Sequence, residues 1–115
     1  MILLTVGTEL PFPRLVDAVD EWAAAHPEVE VLAQIGHSRF RPRHLRYVEY
    51  LGPEQFDAAL SECEVVISHA GMGTILQAVR AGRPVVVMPR RADLGEHRND
   101  HQGATAEAFE RRGYV

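Results

Sequence analysis

Lysine is missing altogether from this chain of 115 residues: all twelve of its basic residues are arginine. That absence removes a P-loop lysine, a Schiff-base amine and a lysine general base together. Cysteine is nearly absent as well. Cys63 stands alone, so no internal disulfide can form, and a reducing compartment, the cytoplasm, is expected. No apolar run approaches the about 20 residues that a membrane-spanning helix needs. The opening Met1-Ile2-Leu3-Leu4-Thr5 lacks a basic flank and meets Gly7 too early for a signal peptide. Basic residues are scattered and the net charge is −4, which argues against a nucleic-acid-binding stripe. There are no internal repeats and no low-complexity segments.

What is present suits one globular domain over residues 1–115. Hydrophobic residues make up 46% and charged residues 24%, a balance that supports a packed core and not a disordered chain. A chain this long buries roughly two-thirds of its unfolded surface, enough for one core without covalent staples. The last residues, Tyr114-Val115, fall where a further strand is due. Either the native domain is longer or the sheet stops there.

Short apolar runs alternate with helical patterns. Residues 2–6 form an unbroken apolar run ended by Gly7, as in a strand buried on both faces. Leu15, Val19, Trp22 and Ala23 lie on one helical stripe, with Pro27 beyond its end. Residues 29–35 predict a second strand and residues 47–51 a third. The polar stretch 37–46 between them holds four arginines and is expected to be an exposed loop. Pro53 opens the next helix at a position where its missing N–H costs little. Phe56, Ala59, Leu60 and Cys63 form that helix's apolar face, so Cys63 is expected to be core and not a nucleophile. Residues 65–67 predict a fourth strand, residues 74–81 a helix stopped by Gly82, and residues 84–88 a fifth strand. A last helix is expected to run to Arg112, with Gly113 as its stop. Strands alternating with helices imply an α/β fold, a Rossmann-like open parallel sheet with helices on both faces.

In such sheets ligands bind beyond the carboxyl ends of the strands. The segments that follow those ends are small or polar: Gly7-Thr8-Glu9, Gly36-His37-Ser38, His69-Ala70-Gly71-Met72-Gly73-Thr74, and the stretch 90–102 with Asp93, Glu96, His97, Asn99, Asp100 and His101. The connections at the opposite edge are ordinary. Within residues 69–74, two glycines let the backbone approach a ligand and adopt positive φ. Thr74 is placed to cap the following helix, whose free N–H groups and partial charge of about +0.5 suit a phosphate. The glycines alone do not separate such a site from a tight strand-to-helix turn without a ligand. A dinucleotide fingerprint is disfavoured: the third glycine is missing, the motif follows the fourth strand instead of the first, and no acidic residue ends the next strand. His97 and His101 are four apart, but no third ligand of matching spacing accompanies them. They read as polar loop residues rather than metal ligands, and no metal or cofactor is expected.

Three motifs in order carry a family resemblance. Ile67-Ser68-His69-Ala70-Gly71-Met72-Gly73-Thr74, Gly82-Arg83-Pro84-Val85 and Gly95-Glu96-His97-Arg98-Asn99-Asp100-His101-Gln102 resemble the donor-site motifs of the glycosyltransferase family 28 C-terminal domain. The opening Thr5-Val6-Gly7-Thr8 is similar to the start of its short stand-alone members. These include the PssE-like proteins of bacterial exopolysaccharide assembly and the catalytic subunit of the two-part N-acetylglucosaminyltransferase of eukaryotic lipid-linked chitobiose. The resemblance covers nearly the whole chain and implies the C-terminal half of a GT-B fold.

The resemblance implies that Gly71, Met72, Gly73 and Thr74 wrap the UDP pyrophosphate, with His69 beside it. Gly7 and Thr8 then face the cleft, and Glu96, His97, His101 and Gln102 lie about the donor sugar. Gln77 stands where relatives commonly carry a glutamate for the ribose hydroxyls; an amide accepts a hydrogen bond but carries no charge. GT-B enzymes bind the diphosphate with backbone donors and a helix dipole, and no Asp-x-Asp pair is present here. The implied activity is an inverting, UDP-dependent sugar transfer to a lipid-linked acceptor in polysaccharide assembly. Because the second GT-B domain is not in this chain, the acceptor cleft and general base are expected on a membrane-associated partner subunit at the inner face of the plasma membrane. Two rivals remain: a fragment resembling a UDP-sugar 2-epimerase, and a non-catalytic nucleotide-sugar-binding module.

Overall fold

The computed structural model describes residues 1–7 and 11–90. Eight elements follow in order: β1 (Ile2–Thr5), α1 (Pro13–Ala25), β2 (Val31–Gln34), β3 (Arg46–Val48), α2 (Pro53–Glu62), β4 (Val65–His69), α3 (Met72–Arg80) and β5 (Val85–Met88). The final helix expected to end at Arg112 lies outside the described residues. The third strand is shorter than residues 47–51 suggest, because Leu51 N–H leaves the ladder to donate to the Gln34 side chain.

All strands are parallel, in the order β3-β2-β1-β4-β5. The chain steps one way from β1 to β3, then returns to the other side of β1. The order therefore reverses between β1 and β4, which is where open α/β sheets bind ligands. In register, Thr5 pairs with Ser68 across that junction.

Strand alternation divides the core into two layers. On one face Leu4, Val6, Ala33 and Ile35 pack with Leu15, Val16 and Val19 of α1. On the other, Leu3, Val66 and Val85 pack with Ala59 and Leu60 of α2 and Ala78 of α3. Helices thus cover both faces, as the apolar runs imply. An apolar groove of about 260 Å³ lies beside α1, between it and β5, with Val86 left exposed.

Several side chains depart from the sequence expectation. Trp22 is 39% exposed instead of joining the core stripe, and its ring stacks on His26 at 4.1 Å between centroids. The stripe passes through Val16 and Asp20 as well as Leu15, Val19 and Ala23. Cys63 is buried as expected, but at the C-cap of α2. The β2–β3 connection is only half a surface loop. Ser38 and Pro42 are buried, and the buried Asp20 carboxylate accepts from the N–H groups of Arg43 (3.0 Å) and His44 (2.8 Å). Phe40 and Leu45 pack against the core behind it. The connection stands in for a helix over that part of the sheet.

Candidate functional site

The carboxyl ends of β1 and β4 meet at the reversal of strand order. Gly7 follows β1 with φ +79°, a conformation that costs an L-residue about 1 kcal/mol or more. An ideal Cβ at Gly7 would lie 2.7 Å from His69 Nε2, and one at Gly71 would lie 2.7 Å from the same atom. The His69 ring therefore sits between the two glycines, and a side chain at either position obliges the ring to move. The sequence expectation of positive φ at Gly71 and Gly73 does not hold: among the described residues the positive-φ glycines are Gly7, Gly36 and Gly82. Gly71 is needed for the close approach of the imidazole, not for its backbone angles.

The helix beyond Gly71 starts earlier than residue 74. Gly71 is the N-cap, with extended φ −85° and ψ 131°, and Ile75 N–H makes the first intrahelical bond to Gly71 O at 3.1 Å. Thr74 is therefore in the third position of α3 and is not its cap, because residues 72–74 already complete the first turn. Gly71, as a glycine, brings no side chain to cap this end. The N–H groups of Met72, Gly73 and Thr74 precede the helical ladder and point out of the sheet's carboxyl edge, with the positive end of the dipole.

Gly73 has a different environment from the other two. A Cβ built there meets none of the described residues within 4 Å. Among those residues, none calls for a glycine in this first helical turn. Met72 is 54% exposed beside it. Gln77, one turn along at i+4, is exposed on the same stripe. The structure thus brings together Gly7, His69, Gly71, Met72, Gly73, Thr74 and, at the rim, Gln77. Thr8, Glu96, His97, His101 and Gln102 lie outside the described residues.

A polar network lies beneath this edge, and the motifs do not reveal it. Gln34 is buried at 3% exposure; its amide donates to Thr5 Oγ1 (2.9 Å) and to Gly7 O (3.3 Å), and its carbonyl accepts from Leu51 N–H (2.7 Å). Gly7 N–H donates to Thr5 Oγ1 at 3.2 Å. Arg90, directly after β5, is also buried and donates to Val6 O and Pro11 O. One signal was available: a glutamine inside the apolar run Val31-Leu32-Ala33-Gln34-Ile35 has to find buried partners.

Among the described residues, no group of three or more His, Cys, Asp and Glu side chains is placed to hold a metal ion. Burial pushes the Cys63 thiol up from its ordinary value, with Arg83 partly opposing. That thiol is at the far side of α2 and has no part in the site.

A parallel sheet reversing at β1/β4, with a glycine-bearing helix start at the reversal, defines the Rossmann-type class of α/β domains. The profile of the glycosyltransferase family 28 C-terminal domain matches residues 1–115, and the chain belongs to that family. It is similar to the UDP-N-acetylglucosamine transferase subunit ALG13 of Yarrowia lipolytica, at 29% identity over the whole chain and 63% of that protein. It is 34% identical to the elloramycin glycosyltransferase ElmGT of Streptomyces olivaceus over 80% of the chain and 25% of that enzyme. Among solved structures, the glycotransferase of kitacinnamycin superposes with a TM-score of 0.69 at 25% identity, over 98% of this chain and 29% of that one. The chain thus spans less than two-thirds of these relatives. The expected fold, an open parallel sheet of the kind found in GT-B glycosyltransferases, is the one observed.

Proposed function

We propose that this chain is the donor-binding part of an inverting, UDP-dependent glycosyltransferase. The observation that carries this reading is Gly73. Its missing Cβ meets none of the described residues, at a helix start whose N-cap is a glycine, at the reversal of strand order. A bound diphosphate would occupy that space and accept from the N–H groups of residues 72–74. Gln77 then reaches the ribose as a neutral acceptor, and Glu96, His97, His101 and Gln102 surround the sugar.

In the reaction the acceptor oxygen bonds to the anomeric carbon as the bond from that carbon to the diphosphate oxygen breaks. UDP leaves with the electron pair. The backbone N–H groups at the start of α3 are aimed at the charge that grows on the departing diphosphate, which is where fixed dipoles lower a barrier most. The acceptor's proton goes to a base on a partner subunit. A partner subunit is supported by the likeness to ALG13, whose name makes it one subunit of a transferase. A second similarity is to the pyrophosphoryl-undecaprenol N-acetylglucosamine transferase of Opitutus terrae, 41% identical over 47% of this chain. No helix among the described residues is long and apolar enough to cross a membrane.

The reading is tested by thermal shift with UDP, UDP-N-acetylglucosamine, UDP-glucuronate and NAD. At 100 times Kd a ligand adds about 2.7 kcal/mol, of order 10 °C in Tm for a domain of this size. We expect such shifts with uridine nucleotides and none with NAD. A folded sample unmoved by every uridine nucleotide rejects the proposal.

A further inference from the structure

The peptide between Val6 and Gly7 is held at both of its polar ends. Its N–H, on Gly7, donates to Thr5 Oγ1 at 3.2 Å. Its carbonyl, on Val6, accepts from Arg90 at 2.7 Å. A peptide unit is planar, so fixing both ends fixes its tilt. Its tilt in turn places Gly7, which lies directly against the His69 ring beside the start of α3. The second nitrogen of the same guanidinium donates to Pro11 O at 2.8 Å. Only a planar fork bridges two carbonyls in this way.

Arg90 is 3% exposed and its guanidinium lies 4.8 Å from the centre of the Phe12 ring. Burying a guanidinium is costly, and an apolar side chain would fill the same volume more cheaply. The neighbouring Arg14 offers a contrast. It packs on the other approach to Phe12, at 5.3 Å, and donates to Pro89 O at 3.0 Å. It joins α1 to β5 without touching the Val6–Gly7 peptide.

We propose that Arg90 is a positioning residue for the donor site: through the Val6–Gly7 peptide it sets the gap between Gly7 and the first turn of α3, without contacting the nucleotide. The inference rests on the reading of that gap as the UDP site.

The test compares Arg90→Lys, Arg90→Met and Thr5→Val with Arg14→Met as control, by UDP titration calorimetry, melting temperature and the Gly7 amide resonance. Arg90→Lys keeps the charge but loses the bridge, and is expected to weaken UDP about tenfold while the Gly7 resonance moves. Thr5→Val keeps the shape and removes the acceptor of both the Gly7 N–H, at the other end of the same peptide, and the Gln34 amide, and is expected to weaken UDP in the same direction. Arg14→Met is expected to lower the melting temperature with UDP affinity within twofold of the parent. Folded Arg90→Lys and Thr5→Val proteins that bind UDP as the parent does overturn the inference and leave the donor-site reading standing. A parent that does not bind UDP at all overturns both.

Discussion

Three glycines at one sheet edge have three different physical reasons. Gly7 is required by a positive φ and by the His69 ring, Gly71 by the ring alone, and Gly73 by none of the described residues. Substitutions should sort accordingly. Gly71→Ala forces the half-buried imidazole aside and is expected to destabilise the fold by about 1 kcal/mol, the low end of overpacking, measured by urea unfolding. Gly73→Val adds bulk where a Cβ meets none of the described residues and should shift Tm by little, yet lower UDP affinity more than 100-fold in a direct titration. Unchanged affinity would place the diphosphate elsewhere. Cys63 supplies a prediction of opposite character. Its folded thiol is raised by burial, so the folded state favours the protonated form. Its contribution to stability is full below the unfolded value near 9.0 and is lost as pH rises from there through the folded value. Alkylation by iodoacetamide at pH 8 should be slow in native protein and fast in urea. Equal rates would contradict a buried thiol.

At the scale of elements, α3 shows what a sequence motif omits. Its glycines and threonine are visible in the sequence, but where the helix begins is not, because Thr74 is as plausible a cap as Gly71 on residue type alone. The backbone decides, since Gly71 takes the extended conformation and Thr74 the third helical position. The β2–β3 connection is the other case. Its polar residues 37–46 suggest solvent, whereas the Asp20 carboxylate on α1 holds its backbone down. Aspartate on a helix's apolar side is the signal, and only its partners explain it. Asp20→Ala leaves the Arg43 and His44 amides without their acceptor, a loss of about 1–3 kcal/mol. Trypsin should then cleave at Arg39 and Arg43 faster than in the parent at temperatures well below Tm, Arg41 being protected by Pro42. Cleavage at an unchanged rate would show that the carboxylate does not secure the loop.

For the whole molecule, the order β3-β2-β1-β4-β5 matters more than any single contact. It puts β1 at the centre and brings residues 7, 69 and 71–74, more than sixty positions apart in sequence, to one point. Five parallel strands bury their alternate residues in two layers, so the edge bearing the site is held rigidly from both faces. A donor site alone does not transfer a sugar. The purified chain is expected to bind UDP-sugar without turnover. Co-expression with a membrane subunit that supplies the acceptor cleft should give transfer to a lipid-linked acceptor, read as radiolabelled sugar in the lipid fraction. Release of a 2-epimerised sugar would favour an epimerase, and absence of any turnover with every such subunit would favour a binding module.

The sequence by itself determined the α/β class, the strand and helix order, and the presence of a glycine-bearing helix start after the fourth strand. Apolar periodicity and glycine punctuation are local, and they survive without knowledge of the fold. Only the folded backbone decided where α3 starts, that Gly71 makes room for His69, and that Gly73 makes room for none of the described residues. Only tertiary structure decided that Gln34, Thr5 and Arg90 hold Gly7 in place, through contacts between segments brought side by side by crossover connections. No pattern along one segment encodes a partner that arrives from another.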